Sequence, residues 1–328
     1  MHDGRLEWGI LATGGIAHLF TKDLLAHGHA VRAVASRTIE SAQGFARAHG
    51  IERAYSSYEA LAADPDVDVI YVATPHHLHA ENARLALEHG KHVLVEKSFM
   101  MTEREAIEIT ELAARRGLVV MEAMWTRFLP HMRFVREVIA SGRLGELTSV
   151  HAEHAQSLPL DPAHRLNDPR RAGGALLDLG IYPISFASDL LGPATHVQAH
   201  ATFTPTGVDA SVSTIMEHAG DAISTSYSSM RVAGRNTAAV LGTEARIEIG
   251  SVWYMPAKVT VFSPAGAELE VFDEPVTGRG MQYQAEEVEQ LIRAGSTSSL
   301  LMPASESVSI MATMDAVRAA IGLRYPWE

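Results

Sequence analysis

The 328-residue sequence contains no cysteine. This absence excludes a disulfide framework, a thiolate zinc site, an iron–sulfur cluster and a cysteine nucleophile. The chain also lacks an excess of positive charge, because 27 basic residues stand against 39 acidic ones and the formal net charge is −12. A dedicated nucleic-acid-binding protein normally carries a basic stripe, so this balance predicts no nucleic-acid partner.

Long apolar runs are missing as well. No run approaches the roughly 18 apolar residues that a membrane-spanning helix needs. The opening residues 1–5, MHDGR, lack the basic and apolar regions of a secretory signal peptide. We therefore expect a soluble, cytoplasmic protein that has no membrane partner.

The pattern of apolar residues changes along the chain. At roughly 150 residues per domain, the length predicts about two domains. In residues 1–123, apolar runs alternate with segments of helical spacing, which predicts a doubly wound parallel sheet with helices on both faces. After about residue 145, runs such as 196–204 alternate with period two. We therefore predict a second domain, 124–328, of α+β class with an open-faced, mostly antiparallel sheet.

A glycine-rich loop follows the first predicted strand and opens the first predicted helix. A dinucleotide fingerprint needs a tight turn, a close approach of the pyrophosphate to the backbone, and a small residue where helix and strand pack. Ala12, Gly14 and Ala17 fill these three places. The pattern predicts a dinucleotide held at the helix N-terminus, although Ala12 replaces the usual first glycine. A glycine-rich turn that only packs is the alternative.

The second strand ends in Ser36 and Arg37, about 20 residues after the loop. In dinucleotide-binding folds, the residue that contacts the ribose lies at about this distance from the glycine loop. A carboxylate at this position would hold the ribose hydroxyls of NAD. A hydroxyl and a guanidinium instead suit a 2′-phosphate, which favours NADP over NAD. The missing carboxylate also counts against a methyltransferase, which shares the glycine loop but usually has a carboxylate at this strand end. For Arg37 itself, the alternative is a solvated charge at the start of a helix.

Several motifs resemble those of the Gfo/Idh/MocA oxidoreductases, NAD(P)-dependent enzymes with a Rossmann domain and an open-faced sheet domain. They are TPHHLH at 74–79, GKHVLVEK at 90–97, MEAMWTRF at 121–128, AGGALLDLGIY at 172–182 and AIGLRYP at 320–326. The last three are similar in particular to the dimeric dihydrodiol dehydrogenase branch and its bacterial relatives. The resemblance spans nearly the whole chain.

The resemblance implies roles for individual residues. The loop at Thr74, Pro75 and His76 lines the cofactor, and Lys97 contacts both the nicotinamide ribose and the substrate. Asp178 and Tyr182 stand in the places of an Asp-x-x-x-His pair, with tyrosine replacing histidine as in the dihydrodiol dehydrogenase branch. Taken with the glycine loop, the predicted cofactor-binding residues are Ala12, Thr13, Gly14, Gly15, Ile16, Ser36, Arg37, Thr74, Pro75, His76, His79, Glu96 and Lys97.

The predicted chemistry is proton transfer coupled to hydride transfer. A partly desolvated lysine near an oxidised nicotinamide has its pKa lowered and can act as acid or base. We predict that Lys97 and Tyr182 handle the proton and that Asp178 orients them. The alternatives are an exposed strand-end lysine and a core tyrosine. Ser98 replaces the family's proline after the lysine, which leaves the local backbone of Lys97 open.

Three further residues are predicted to contact the substrate. They are Trp125, which the resemblance places near the substrate, and Arg127, both after the last predicted strand of the first domain, and Arg165 in a polar segment before a Gly-Gly turn that we expect to permit close approach of a ligand. A packing role for Trp125 and a loop ion pair for Arg165 remain open. No metal site is expected, because His151 and His154 lie three apart on a probable strand and so face opposite sides.

The combined prediction is an NADP-dependent dehydrogenase or reductase acting on a sugar, polyol or cyclic diol. A non-catalytic NADP-responsive sensor of the same fold is the alternative, although a sensor does not need Lys97, Asp178 and Tyr182. The resemblance also implies a homodimer that forms through the C-terminal sheet.

Overall fold

A computed structural model describes residues 5–327. Most of the start on which the signal-peptide prediction rests, residues 1–4, lies outside these described residues. The helices are α1 (Gly15–Ala26), α2 (Ile39–His49), α3 (Tyr58–Ala62), α4 (His79–Glu88), α5 (Glu103–Arg116), α6 (Pro130–Ala140), α7 (Ile181–Leu191), α8 (Gln282–Ala294) and α9 (Ala304–Ile321).

The strands form two sheets. They are β1 (Glu7–Leu11), β2 (Ala30–Ala35), β3 (Arg53–Tyr55), β4 (Val69–Val72), β5 (His92–Glu96), β6 (Val120–Ala123), β7 (Leu147–Ala155), β8 (His196–Phe203), β9 (Asp209–Glu217), β10 (Ile223–Ser229), β11 (Ala238–Gly242), β12 (Arg246–Ile249), β13 (Val259–Phe262) and β14 (Glu268–Phe272). The first six build one sheet and the last eight build the other.

The first sheet is parallel throughout and has the order β3-β2-β1-β4-β5-β6. The order reverses between β1 and β4, and ligands of such sheets bind beyond the carboxyl ends of the strands at this switch point. Its core includes Trp8, Phe20 and Tyr71. The ring of Phe20 meets Trp8 edge-on at 5.7 Å and stacks on Tyr71 at 3.9 Å. The predicted doubly wound parallel sheet is confirmed.

The second sheet has the order β14-β13-β12-β11-β7-β10-β9-β8. All of its pairs are antiparallel except β7 with β10. One face buries Val150, Val240, Ile247 and Val261, and α7 packs over β7 on this side. The predicted mostly antiparallel sheet, covered on one face, is therefore confirmed.

The chain forms two compact units. Unit 1 contains Met1–Trp125 and Thr277–Val308, and unit 2 contains Thr126–Val276 and Ser309–Glu328. Unit 1 is thus discontinuous in sequence. Within it, Asp23 on α1 accepts hydrogen bonds from the amides of Arg279 and Met281 at 2.9 and 3.0 Å. The boundary near residue 123 between a cofactor-binding and a substrate-binding domain remains a prediction. The structure adds that residues 277–308 belong to the same compact unit as the N-terminal sheet.

One stretch, Pro169–Leu191, which ends in α7, is long and apolar enough in length and composition to cross a membrane. Most of its apolar part is buried inside the protein. Helices in the core of soluble proteins can have the same length and composition. The burial of this stretch is typical of such a core helix.

Candidate active site

The glycine loop joins β1 to α1 at the switch point of the parallel sheet. The amide of Ala12 donates to the carbonyl of Ala35 at 3.0 Å, which ties the loop to the end of β2. Ala12 has φ of 91°, in the left-handed region where glycine is the usual residue. The alanine therefore adopts the turn that the fingerprint assigns to its first glycine.

The start of α1 fits a dinucleotide pyrophosphate. The N-cap of the helix is Gly14, which has no side chain with which to cap the first-turn amides. A Cβ atom placed on Gly14 or Gly15 would meet no atom within 4 Å, so the approach to these amides is open. Ala17, the third small residue of the pattern, is fully buried. Open amides at a helix N-terminus attract anions.

Hydroxyl groups cluster where β2 ends beside the glycine loop. The hydroxyl of Thr13 shares hydrogen bonds with those of Ser36 at 3.2 Å and Ser41 at 2.7 Å. Arg37 is exposed next to this cluster, and its charge opposes the rise that burial causes in the pKa of Tyr58. Hydroxyl donors beside a solvent-facing guanidinium can bind a phosphate group.

His79 connects two loops at the carboxyl edge of the sheet. Its Nε2 contacts the carbonyl of Thr74 at 2.8 Å, and its Nδ1 contacts the carbonyls of Ser98 at 2.9 Å and Phe99 at 3.2 Å. Burial lowers the pKa of His79, while the carbonyls oppose that change. The predicted cofactor residue is thus completely buried, and its contacts hold together the loops that follow β4 and β5.

Lys97 lies directly after β5, and its backbone is held on both sides. Its carbonyl accepts a hydrogen bond from Nε2 of His76 at 3.2 Å, and its amide donates to Glu96 at 3.3 Å. Glu96 also accepts a hydrogen bond from the hydroxyl of Tyr71. The Lys97–Ser98 peptide bond is cis. Through these contacts and the bonds of His79 to both loops, the structure brings together four predicted residues of unit 1: Thr74, His76, Glu96 and Lys97.

Trp125 and Arg127 have different surroundings. The buried ring of Trp125 lies 5.4 Å from the guanidinium of Arg279, in a cation–π arrangement within unit 1. Arg127 is buried in unit 2 and donates to the carbonyl and the hydroxyl of Ser185 at 2.7 and 2.9 Å. These contacts support α7. A substrate contact for either residue remains a prediction.

Asp178 lies in a π-helical turn, Leu176–Gly180, that leads directly into α7. Its carboxylate accepts a hydrogen bond from Arg165 at 3.1 Å. The ion pair that the sequence left open for Arg165 is therefore present, and its partner is the predicted catalytic carboxylate. The wider turn also means that Asp178 and Tyr182 do not have the spacing of a regular α-helix.

Tyr182, near the start of α7, is buried against two aromatic rings of unit 2. His154 meets it edge-on at 4.7 Å, and Tyr254 lies 5.4 Å away. His154 and Tyr254 stack at 3.8 Å, and the Gln156 amide donates to His154 Nε2 at 2.8 Å and to the Tyr254 hydroxyl at 3.2 Å. His154 and Tyr254 were not predicted from the sequence as neighbours of Tyr182, and neither was Gln156, which bonds to both of them. The sequence placed His154 only on a probable strand.

The Gly173–Gly174 turn packs tightly against other residues of unit 2. A Cβ atom on Gly173 would lie 2.4 Å from the carbonyl oxygen of Leu166, and one on Gly174 would lie 2.0 Å from Oδ1 of Asp209. Gly174 also has φ of 123°. The close approach that requires glycine at these two positions is therefore to other residues of unit 2, and the approach of a ligand to this turn stays a prediction.

Within residues 5–327, no group of three or more histidine, aspartate or glutamate side chains could hold a metal ion. His151 and His154 have separate environments. His151 hydrogen-bonds Thr225 at 2.6 Å, whereas His154 is in the aromatic cluster around Tyr182.

Comparison with known proteins places both units in one family. The model of the oxidoreductase family with an NAD-binding Rossmann fold, Gfo/Idh/MocA, matches residues 6–124, and the model of the Gfo/Idh/MocA C-terminal domain matches residues 132–248. The chain is 37% identical to trans-1,2-dihydrobenzene-1,2-diol dehydrogenase of Macaca fascicularis over 98% of this chain and 99% of that protein.

Two other relatives extend the comparison. The chain is 34% identical to D-xylose 1-dehydrogenase (NADP+) of Hypocrea jecorina, over 98% of this chain and 93% of that protein. A solved structure of a 3-ketoreductase from Actinomadura kijaniata, in complex with NADP and TDP-benzene, is similar with a TM-score of 0.86 and 26% identity. That match covers 97% of this chain and 98% of the other.

Proposed function

This chain belongs to the Gfo/Idh/MocA family of NAD-binding oxidoreductases, and on that premise we propose an NADP-dependent enzyme that acts on a sugar, polyol or cyclic diol. The bound nicotinamide would give or take the hydride at a carbinol or carbonyl carbon. The observation that carries the proposal is the anchored Glu96-Lys97 segment at the carboxyl end of β5. The names of the relatives, a diol dehydrogenase and a xylose dehydrogenase, support the substrate class.

In this proposal, Lys97 and Tyr182 give the substrate oxygen its proton or take it away, because hydride transfer at carbon requires proton transfer at oxygen. Asp178, paired with Arg165, orients the reacting groups. Trp125, Arg127 and Arg165 contribute to substrate binding.

A binding and turnover experiment tests this function. NADPH fluorescence is titrated first, and NADP+ and NAD+ are then assayed with D-xylose, other aldoses, polyols and trans-1,2-dihydrobenzene-1,2-diol. We expect NADPH binding and NADP+-dependent turnover of at least one compound. Tight binding of NADPH without turnover of any compound would contradict the enzyme and support the sensor.

The proposed preference for NADP predicts a selective effect at Arg37. The Arg37→Ala variant is expected to bind NADPH about 10–100-fold more weakly, because a charge-assisted hydrogen bond contributes about 1.5–3 kcal/mol and about 1.4 kcal/mol corresponds to tenfold in affinity. Affinity for NADH, which has no 2′-phosphate, should change little. Fluorescence titration with both nucleotides measures the difference.

Arg47→Ala is the matched control, since Arg47 is exposed near the other end of α2. It removes the same charge far from the hydroxyl cluster. Equal weakening of NADPH binding by Arg37→Ala and Arg47→Ala, or equal loss of NADPH and NADH affinity in Arg37→Ala, would rule out a 2′-phosphate contact.

We further propose a homodimer formed through the open face of the second sheet. Ile215, Thr225 and His151 are neighbours in register and therefore share this face. Ile215, Ile223 and Tyr227 are exposed there to 50%, 43% and 38%. Beside them, a groove of about 740 Å³ is lined by residues that include Arg246 and Phe262. Exposed apolar groups gathered on one face support a protein partner.

Ile215→Asp is expected to weaken such a dimer by about 100-fold or more, because burying an unpaired carboxylate costs about 3 kcal/mol or more. Sedimentation velocity across a concentration series measures the effect. Leu300→Asp is the control, because Leu300 is 98% exposed and lies in unit 1. A wild-type monomer, or an Ile215→Asp protein that dimerises like the control, would contradict this interface.

The proposal includes a cytoplasmic location and no nucleic-acid or membrane partner. The net charge of −12 and the absence of cysteine support these features.

A further inference from the structure

The candidate catalytic groups of unit 2 depend on how one helical segment begins. Asp178 lies in the π-helical turn Leu176–Gly180, and Tyr182 lies in the α-helix that continues from it. Neither the Gly173–Gly174 turn before this segment nor Ala175 provides a capping side chain. The first amides of the segment therefore need an acceptor from another part of the chain.

Asp209, the first residue of β9, provides this acceptor. Its side chain is completely buried, and Oδ2 accepts a hydrogen bond from the amide of Leu176 at 2.6 Å. Oδ1 lies against Gly174 so closely that a Cβ atom there would be 2.0 Å away. The carboxylate thus occupies the space that glycine leaves open and contacts the amide that begins the turn.

The surroundings of Asp209 are apolar. Ala175, Leu179, Val208 and Ala210 form a buried cluster with Leu166 and Met230. Burial raises the pKa of Asp209 to about 7, against the opposing effect of the backbone amides of Leu176, Asp209 and Ala175. Burying a polar group costs free energy unless hydrogen bonds compensate for the lost water, and the bond from the Leu176 amide supplies such compensation here.

We propose that Asp209 is a positioning residue, whose carboxylate fixes the start of the segment that carries Asp178 and Tyr182 and so sets their orientation. This inference rests on the proposed function, because it concerns the proposed proton-handling residue Tyr182 and the proposed orienting residue Asp178. Asp209 acts through the backbone amide of Leu176. A displacement of about 1 Å in a reacting group can reduce a rate by about 10²-fold.

Three variants separate positioning from general stability. Asp209→Ala removes the acceptor, whereas Asp209→Asn keeps a carbonyl oxygen that can accept from Leu176. Val208→Ala is the matched control, because Val208 is completely buried in the same cluster and has no polar atom in its side chain. All three variants are compared per folded molecule, after thermal melting and NADPH titration.

We expect Asp209→Ala to reduce kcat by about 10–100-fold with NADPH affinity unchanged. Its solvent deuterium isotope effect on kcat should rise, because proton transfer becomes slower than the other steps. Asp209→Asn should restore kcat to within about threefold of wild type, and Val208→Ala should leave both kcat and the isotope effect near the wild-type values. A purely structural role would not change the isotope effect.

Hydrogen exchange measured by mass spectrometry tests the same anchor without turnover. Peptides that cover residues 174–182 should exchange faster in Asp209→Ala than in Val208→Ala and wild type. Unchanged exchange in these peptides, an Asp209→Ala protein with the kcat of Val208→Ala, or failure of asparagine to restore kcat would overturn the inference. A wild-type protein without turnover would instead contradict the proposed function, while the exchange result would still decide whether Asp209 anchors the segment.

Discussion

Replacing Lys97 by methionine is expected to lower kcat by about 10²–10⁴-fold, the usual contribution of a positioned acid or base. Methionine has a similar length but cannot carry a proton. The backbone contacts of residue 97 with His76 and Glu96 do not use its side chain, so the loop is expected to keep its place. Steady-state turnover with the substrate found in the panel measures the loss.

Lys22→Met is the matched control, because Lys22 is exposed on α1. It should retain wild-type turnover, and NADPH titration should show that Lys97→Met still binds the nucleotide. A Lys97→Met protein that turns over at the rate of Lys22→Met would remove Lys97 from the proposed chemistry.

Tyr182→Phe is the second change with a large expected effect. The variant keeps the ring that packs against His154 at 4.7 Å and Tyr254 at 5.4 Å, and loses only the hydroxyl. We expect a fall in kcat of about 10²–10⁴-fold, and the retained ring packing should keep the variant folded. Burst and single-turnover measurements show whether the chemical step itself is slowed.

Tyr55→Phe supplies the comparison, since its hydroxyl donates to the carboxylate of Asp64 at 2.9 Å and has no proposed part in proton transfer. It removes a bonded hydroxyl at a cost of about 1 kcal/mol in stability and should preserve turnover. Full activity in Tyr182→Phe would leave the tyrosine as a core residue, which was the alternative at the start.

Apolar patterning predicted most of the architecture. The buried strands of unit 1, such as Val69–Val72, are continuous apolar runs in the sequence, and the alternation in His196–Phe203 indicated the second sheet. β3 was not predicted, because its three residues Arg53–Tyr55 are only half-buried and carry a charge. β11 was missed because Ala238–Gly242 has small residues and no clear alternation.

The chemistry at the site was less accessible to sequence reasoning. Motifs singled out Lys97, Asp178 and Tyr182, but the π-helical turn before Tyr182 depends on tertiary contacts. The aromatic neighbours His154 and Tyr254 come from a strand and a loop that are distant in sequence. Nothing in the sequence distinguishes Asp209 from other acidic residues, and only the folded chain brings it against Gly174.

The return of residues 277–308 to unit 1 has a consequence for biosynthesis. Glu289 on α8 accepts a hydrogen bond from the indole of Trp8 at 3.0 Å, and Asp23 binds the amides of Arg279 and Met281. Growing chains usually fold domain by domain from the N-terminus. Here the N-terminal sheet leaves the ribosome long before these partners are made, so it completes its folding only near the end of translation.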